Sequence, residues 1–387
     1  MKRFFSGGYF LVILGLFFYS FTQVDLGLVF SKSAALQRIL FSFQNIGYFQ
    51  RPLSTDLYIL ILILLFGYYI YFLRQAFLKK LKPKIIWLLI IFTSVVLAFS
   101  YNAFSYDIFN YIFDAKIITH YHLNPYFHKA LDFPGDPMLS FMQWTHRTYP
   151  YGPIWLALTT PLSFIGHNIF LVTFFLFKFL SAGFYLGSSY LIWKISERIL
   201  PQFKDFNLVL FALNPLTVIE LLVSAHNDGA MLFFALLAVY LFLSGKKLFG
   251  IVIALISSQI KIPTAAIIPI LGLGFVPQIK LEPRKIILFS LGAMIAALCY
   301  VLTKMEMQPW YFLWILPFAC LLKPNKYIVS LLLGFSFGLL LRYVPFLYSG
   351  NWNGLAPQIK GTVSLMAPAV FVAITWMFSK LKYGKNN

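Results

Sequence analysis

The stretch LYILILILLFGYYIYFL at residues 57–73, followed by the basic run KKLKPK at 79–84, sets the reading of the whole chain. Seventeen consecutive residues without a charge are about the length of a helix that crosses a lipid bilayer. A lysine cluster just beyond such a helix marks a cytoplasmic loop. The alternation continues in both directions. Apolar segments fall at 9–24, 57–73, 85–100, 168–193, 206–223, 229–244, 286–303, 310–322, 327–345 and 361–379. Basic clusters fall at 2–3, 79–84, 194–204, 246–247, 280–285, 323–326 and 380–385.

Composition agrees with this pattern. Hydrophobic residues make up 60% of the 387 residues and charged residues 11%, too few charges to coat a water-soluble domain of that size. The net charge of +19 does not indicate nucleic acid, because the basic residues are divided among short loops between apolar segments. Cys299 and Cys320 lie in apolar runs and suggest neither a disulfide framework nor a metal motif. The basic start and the apolar run at 9–22 lack a small-residue cleavage site, so they read as an uncleaved first helix. The expectation is an all-α polytopic transmembrane helical bundle of about ten to twelve spans or half-spans. It forms a single domain over 1–387, multi-pass in the plasma membrane, with both termini cytoplasmic.

Keeping every basic cluster on one side places 101–150 outside as a large loop and forces two departures from simple spanning. The segment 151–166 is short and contains Pro161, which predicts a re-entrant or surface-lying helix on the outer side. The segment 248–276 is flanked by basic residues at both ends and interrupted by Lys261 and Pro263, which predicts a hairpin with Lys261 near its outer tip. Irregular backbone at that depth survives only where protein or a water-filled cavity surrounds it. Ala35, Leu36, Ile39, Leu40 and Phe43 share one side of 32–43, as an amphipathic surface helix requires.

The 12 acidic residues are informative because they are scarce. Asp107, Asn110, Tyr111 and Asp114 are spaced to share one helical face. Two carboxylates about 10 Å apart along a helix can divide base and positioning roles, although a solvated face is the plainer reading of any loop helix. The segment AHNDG at 225–229 joins two apolar helices. Asn227 and Asp228 have the character of an N-cap, but His226 and Asp228 cost more inside a membrane than a serine cap would, which marks them as functional. Glu220, Ser224 and Asp228 follow at four-residue steps. Lys261 is an ammonium in an otherwise apolar hairpin and needs an anionic partner, for which a phosphate is suited. Lys178 lies mid-span with no comparable context and reads as structural. Arg147, Tyr149, Tyr151, Trp155, Trp310 and Tyr311 line the outer boundary, where aromatics form belts and also stack on sugars. His120, His122 and His128 complete no metal-ligand spacing, and no metal site is assigned.

Five segments in order, SYDIFNYIFDAKIITHYHLNPY (105–126), TYPYGPIW (148–155), ELLVSAHNDGAMLF (220–233), QIKIPTAAIIP (259–269) and QPWYFLWILP (308–317), resemble the GT-C superfamily of membrane glycosyltransferases. They are most similar to polyprenol-phosphate-mannose-dependent α-mannosyltransferases. The resemblance implies a GT-C bundle whose helical outer loop carries the active site. It also implies inverting transfer of a hexose, mannose in these relatives, from a polyprenyl-phosphate sugar to a lipid-linked or envelope glycan acceptor on the non-cytoplasmic face. Asp107 matches the acidic residue that acts on the acceptor hydroxyl, with Asp114 beside it. His226, Asn227 and Asp228 would shape the donor or acceptor pocket, and Lys261 would contact the donor phosphate, with Arg147 and Arg342 as further cations. TYPYGPIW, with Tyr149 and Tyr151, would form the outer wall at the re-entrant segment, and Trp310 and Tyr311 are further candidates for the donor or acceptor pocket. No cofactor is firmly implied, and the chemistry is compatible with a divalent cation. The rival class is a transporter or flippase of lipid-linked saccharides, but such proteins show paired repeats and midplane sites. Here the polar residues gather at one face.

Overall fold

A computed structural model describes residues 2–383 as an assembly of helices, with a single antiparallel bridge between Lys129 and Thr148 and no β-strand among the described residues. The first half comprises α1 (Lys2–Ser20), α2 (Ala34–Gln44), α3 (Arg51–Phe77), α4 (Pro83–Ala98), α5 (Asp107–Thr119), α6 (Pro153–Ile165) and α7 (Phe170–Ile199). Next come α8 (Lys204–Ala212), α9 (Pro215–Val218), α10 (Asp228–Leu243), α11 (Lys247–Ser258) and α12 (Ile268–Gly272). The remainder is α13 (Pro283–Leu302), α14 (Leu316–Cys320), α15 (Lys326–Leu341), α16 (Val344–Ser349) and α17 (Ala356–Tyr383). Among the described residues, five helical stretches are long and apolar enough to cross a membrane, and the bent α8–α9 pair makes a sixth if it is one span. The surface is apolar as a lipid-facing surface must be: Leu365, Met366, Val370, Ile374 and Phe378 of α17 are all exposed.

Two expected elements take a different form. The apolar run 310–322 is not one span: it forms a tight 3₁₀ segment, Pro309–Trp314, and then the short α14. Pro309 and Pro317 open these two pieces, and a proline inside a helix removes a backbone donor and clashes with the preceding turn. Glu220, Ser224 and Asp228 do not share a continuous helical face either. Ile219–Val223 is a π-helical turn, and Ala225 adopts a left-handed φ of 54°.

The bend of 53° between α8 and α9 has a local cause. Pro215 carries no N–H, and Asn214 caps the N-H of Leu216 at 2.9 Å, so carbonyls at the end of α8 lose their helical partners. Neighbouring tyrosines supply donors: Tyr69 donates to Leu210 O at 2.6 Å and Tyr185 to Ala212 O at 2.8 Å. Helix packing elsewhere depends on small residues. Gly334 and Gly338 of α15 are spaced as GxxxG, and a Cβ at either would meet α17 backbone at 2.4 Å, at Pro368 and Val363 respectively. Such contacts allow two membrane helices to approach closely.

Chain direction separates two kinds of chemistry. The basic clusters at 79–84, 194–204, 280–285 and 323–326 precede α4, the α8–α9 pair, α13 and α15. The segments carrying Asp107, His226, Trp310 and Arg342 follow those same helices. Basic loops and candidate site residues therefore occupy opposite ends of the helices that join them.

Candidate active site

Asp107 is the first residue of α5, where the helix dipole favours a carboxylate. Its backbone N–H donates to Ser105 Oγ at 3.2 Å. The face predicted for Asp107, Asn110, Tyr111 and Asp114 falls within α5, and Tyr111 donates to Asp107 Oδ2 at 3.4 Å. On the other side His226 Nδ1 lies 3.3 Å from the same oxygen. The opposite nitrogen, His226 Nε2, lies 3.2 Å from Glu220 Oε2. Tyr343 in turn donates to Glu220 Oε1 at 2.9 Å. The imidazole is stacked on Trp310 at 4.1 Å between centroids. Asp107, His226 and Glu220 thus form a line. The His226 and Glu220 side chains are fully enclosed, whereas Asp107 is 20% exposed and forms its open end.

The electrostatics follow from this line. Burial opposes charge on His226, but the two flanking carboxylates outweigh it and raise the imidazole to about 9. Burial would likewise raise the Asp107 carboxyl, yet His226 and then Lys261 hold it below its ordinary value. Asp107 is therefore an ionised acceptor with an imidazolium behind it. Asp114 differs. It is buried with no ion pair or hydrogen bond among the described residues, and burial alone pushes its carboxyl up to about 8. At neutral pH it is mainly protonated, so it can position a hydroxyl but is a poor base.

The π-turn explains how Glu220 and His226 come to face each other. Ending the helix at Val223 frees carbonyls, and α7 supplies their donors: Ser181 Oγ to Leu221 O at 2.6 Å, Lys178 Nζ to Val223 O at 2.8 Å and Lys178 Nζ to Leu222 O. Lys178 also donates to Ser100 Oγ at 3.2 Å, just after α4 on the segment that leads to Asp107. The mid-span lysine fastens the two segments that carry Asp107 and His226.

A second pair lies beside this line. Asp228 does not cap α10: Asn227 is the N-cap and makes no side-chain cap bond. The Asp228 carboxylate instead accepts from Lys261 Nζ at 2.6 Å and from Trp314 Nε1 at 2.6 Å. Lys261 lies at the break between α11 and the 3₁₀ turn Ile262–Ile267, and its ammonium is 5.4 Å from the Tyr151 ring centroid. The anionic partner required by its position is Asp228. The Tyr151 ring packs edge-on to Tyr111 and Tyr149, at 5.5 and 5.7 Å.

Gly152 locks α6 to the same place. Its N–H donates to Ile260 O at 3.3 Å, and Ile154 N–H donates to Gln259 O at 3.2 Å. A Cβ on Gly152 would come within 1.9 Å of the Gln259 carbonyl oxygen. Two separately recognised segments, TYPYGPIW and QIKIP, therefore meet backbone to backbone beside Lys261.

Most of the expected residues converge. Tyr149 donates to Gly152 O at 2.9 Å, and Tyr311 packs against Trp310 and Trp314 at 5.7 and 4.8 Å. Asn227 is buried beside His226, with neither amide atom hydrogen-bonded. Two cations are engaged elsewhere: the Arg147 guanidinium lies 4.4 Å from the Trp144 ring centroid, and Arg342 is paired with Glu306. His128 lies 3.7 Å from Asp132, and no cluster of three metal-ligating side chains occurs among the described residues. Glu220, Tyr343 and Trp314 join the site although they were not among the expected residues. Glu220 is an ionisable group in an apolar run close to His226, so its sequence context did carry a signal. Trp314 lies within the segment QPWYFLWILP but was not singled out from it, and nothing distinguishes Tyr343 among the 23 tyrosines.

Residues 11–277 match the model of a family described as alpha-(1->6)-mannopyranosyltransferase, N-terminal domain. No curated protein and no solved structure matches. The match covers more than half of the chain, including Asp107, His226, Asp228 and Lys261. With its helical membrane architecture, the chain therefore belongs to the alpha-(1->6)-mannopyranosyltransferase family of GT-C-type membrane mannosyltransferases.

Proposed function

We propose that the protein transfers mannose from a polyprenyl-phosphate sugar to a lipid-linked or envelope glycan, on the non-cytoplasmic face of the plasma membrane. The observation that carries this reading is the line Asp107–His226–Glu220, whose ionised open end adjoins the Lys261–Asp228 pair. The acceptor hydroxyl approaches Asp107. As the acceptor oxygen bonds to the sugar C1, the C1–O bond to phosphate breaks and Asp107 takes the hydroxyl proton. Charge builds on the departing phosphate, and the Lys261 ammonium offers positive charge already in place. Asp114, neutral at physiological pH, holds rather than deprotonates the sugar hydroxyls. Tyr149, Tyr151, Trp310 and Tyr311 supply the rings on which sugar faces stack.

The sidedness rests on the basic loops at the opposite helix ends, following the positive-inside bias, which leaves both termini cytoplasmic. Mass spectrometry of lipid-linked and envelope glycans in cells with and without the protein tests the assignment. Loss of mannose from these glycans, restored by the wild-type chain but not by Asp107→Asn, is expected. An unchanged glycan profile refutes it.

A further inference from the structure

A second charged cluster lies beyond Tyr343. Arg342 follows α15, Lys360 belongs to the first turns of α17, and Glu306 lies in the segment after α13. Glu306 Oε1 is 2.5 Å from Arg342 Nη2 and 2.8 Å from Lys360 Nζ. The Arg342 and Lys360 side chains are 5% and 11% exposed, whereas Glu306 is 51% exposed. Two largely buried cations thus share one carboxylate that is open to the surroundings. This leaves one excess positive charge, which is costly at a membrane boundary unless an anion compensates it.

The cations are held independently of Glu306. Arg342 Nη1 donates to Lys360 O and to Ser364 Oγ, both at 3.0 Å. The Lys360 ammonium lies 4.7 Å from the Trp352 ring centroid. Glu306, by contrast, makes side-chain contacts to these two cations alone among the described residues. It can therefore leave without dismantling the fork. From this point α17 presents Leu365, Met366, Val370 and Ile374 outward, a track for a hydrocarbon chain whose anionic head stays at the fork.

We propose that Arg342 and Lys360 form a capture site for the phosphate head of a polyprenyl-phosphate lipid, with Glu306 as its displaceable resting counterion. The proposal rests on the donor class inferred above. It divides the labour: Lys261 serves the phosphate where the sugar–phosphate bond breaks, and the Arg342–Lys360 fork holds the headgroup at the lipid edge of the bundle. Guanidinium and ammonium together suit a phosphate, the first as a planar fork and the second as a point charge.

The test is binding of polyprenyl phosphate to the purified full chain in detergent micelles, read by native mass spectrometry. Arg342→Gln and Lys360→Gln should each weaken binding about tenfold or more, the loss of one charge-assisted contact. Glu306→Gln should tighten binding, because it removes the competing carboxylate and leaves the cations in place. Weaker binding by Glu306→Gln would make the cluster a structural bridge and overturn the proposal. Equal binding by wild type and both cation variants overturns it while leaving the donor assignment standing. No binding of polyprenyl phosphate by the wild type overturns both. Inorganic phosphate and phosphatidylglycerol serve as competitors: equal competition by either overturns specificity for the prenyl lipid, and failure of both supports it.

Discussion

Asp107→Asn removes the carboxylate proposed as the base while keeping the shape of the side chain. Asparagine matches aspartate in shape and retains an oxygen for the Tyr111 hydroxyl, a long contact of 3.4 Å. The side chain is 20% exposed, so the amide N–H₂ has access to solvent or substrate. His226 loses one of its two carboxylate neighbours, and breaking a buried charge network costs more than the roughly 1 kcal/mol of an ordinary substitution, so some stability is lost together with the activity. What disappears is the proposed proton acceptor. General-base catalysis contributes about 10²–10⁴-fold, which corresponds to about 3–5 kcal/mol of barrier. His226 keeps Glu220 at 3.2 Å, so the buried imidazole retains one carboxylate partner. The assay is transfer from labelled polyprenyl-phosphate mannose by protein in lipid nanodiscs, run beside thermal unfolding of the same preparation. The expected result is a drop in turnover of at least 100-fold in protein that is still folded at the assay temperature, with a lowered unfolding midpoint. Wild-type turnover would refute Asp107 as the base, and loss of folded protein would refute the claim that its role is catalytic rather than structural.

Gly152→Ala places a Cβ 1.9 Å from the Gln259 carbonyl oxygen. The backbone beside Lys261 must shift by about 1 Å, and turnover should fall about 100-fold; steady-state kinetics with unchanged activity would show that this contact does not position Lys261. Lys178→Met leaves carbonyls of Leu222 and Val223 without their donor, so unfolding in detergent should show a loss of about 1–3 kcal/mol, and an unchanged midpoint would contradict the capping role. Asp114 has a folded-state value raised from 3.8 to about 8. Its contribution to stability is full below about pH 3.8 and is lost as pH rises through about 8. Asp114→Asn should therefore match wild type near pH 4 and unfold at a higher temperature near pH 9; parallel curves for the two proteins would contradict a buried, raised carboxyl.

The spans were legible because lipid imposes long uncharged runs, as at 57–73. The run 310–322 has the hydrophobicity of a spanning helix, but Pro317 divides it and Pro309 just before it opens a 3₁₀ segment instead. Individual site residues were legible where a charge interrupts an apolar stretch, as with Asp228 and Lys261. Their mutual pairing was not, because the two lie 33 positions apart and nothing in either segment specifies which loop it meets. Asp228 also imitates a helix cap so well that its true partners, Lys261 and Trp314, emerge only from the fold. Glu220 read as one step of a regular face because the π-turn and the left-handed Ala225 leave no mark in residue type. Tyr343 was hidden by abundance. The local rules that place a residue in an apolar run were thus sufficient to find charges, and tertiary packing decided what each charge does.

The central claim is that this membrane bundle moves mannose from a prenyl-phosphate donor through the Asp107 end of its buried line of charges. Purified protein in lipid vesicles, supplied with an acceptor glycan and either radiolabelled polyprenyl-phosphate mannose or labelled GDP-mannose, measures this directly. The account predicts label in the glycan from the lipid donor alone. Transfer from GDP-mannose, or no transfer from the lipid donor, would contradict it.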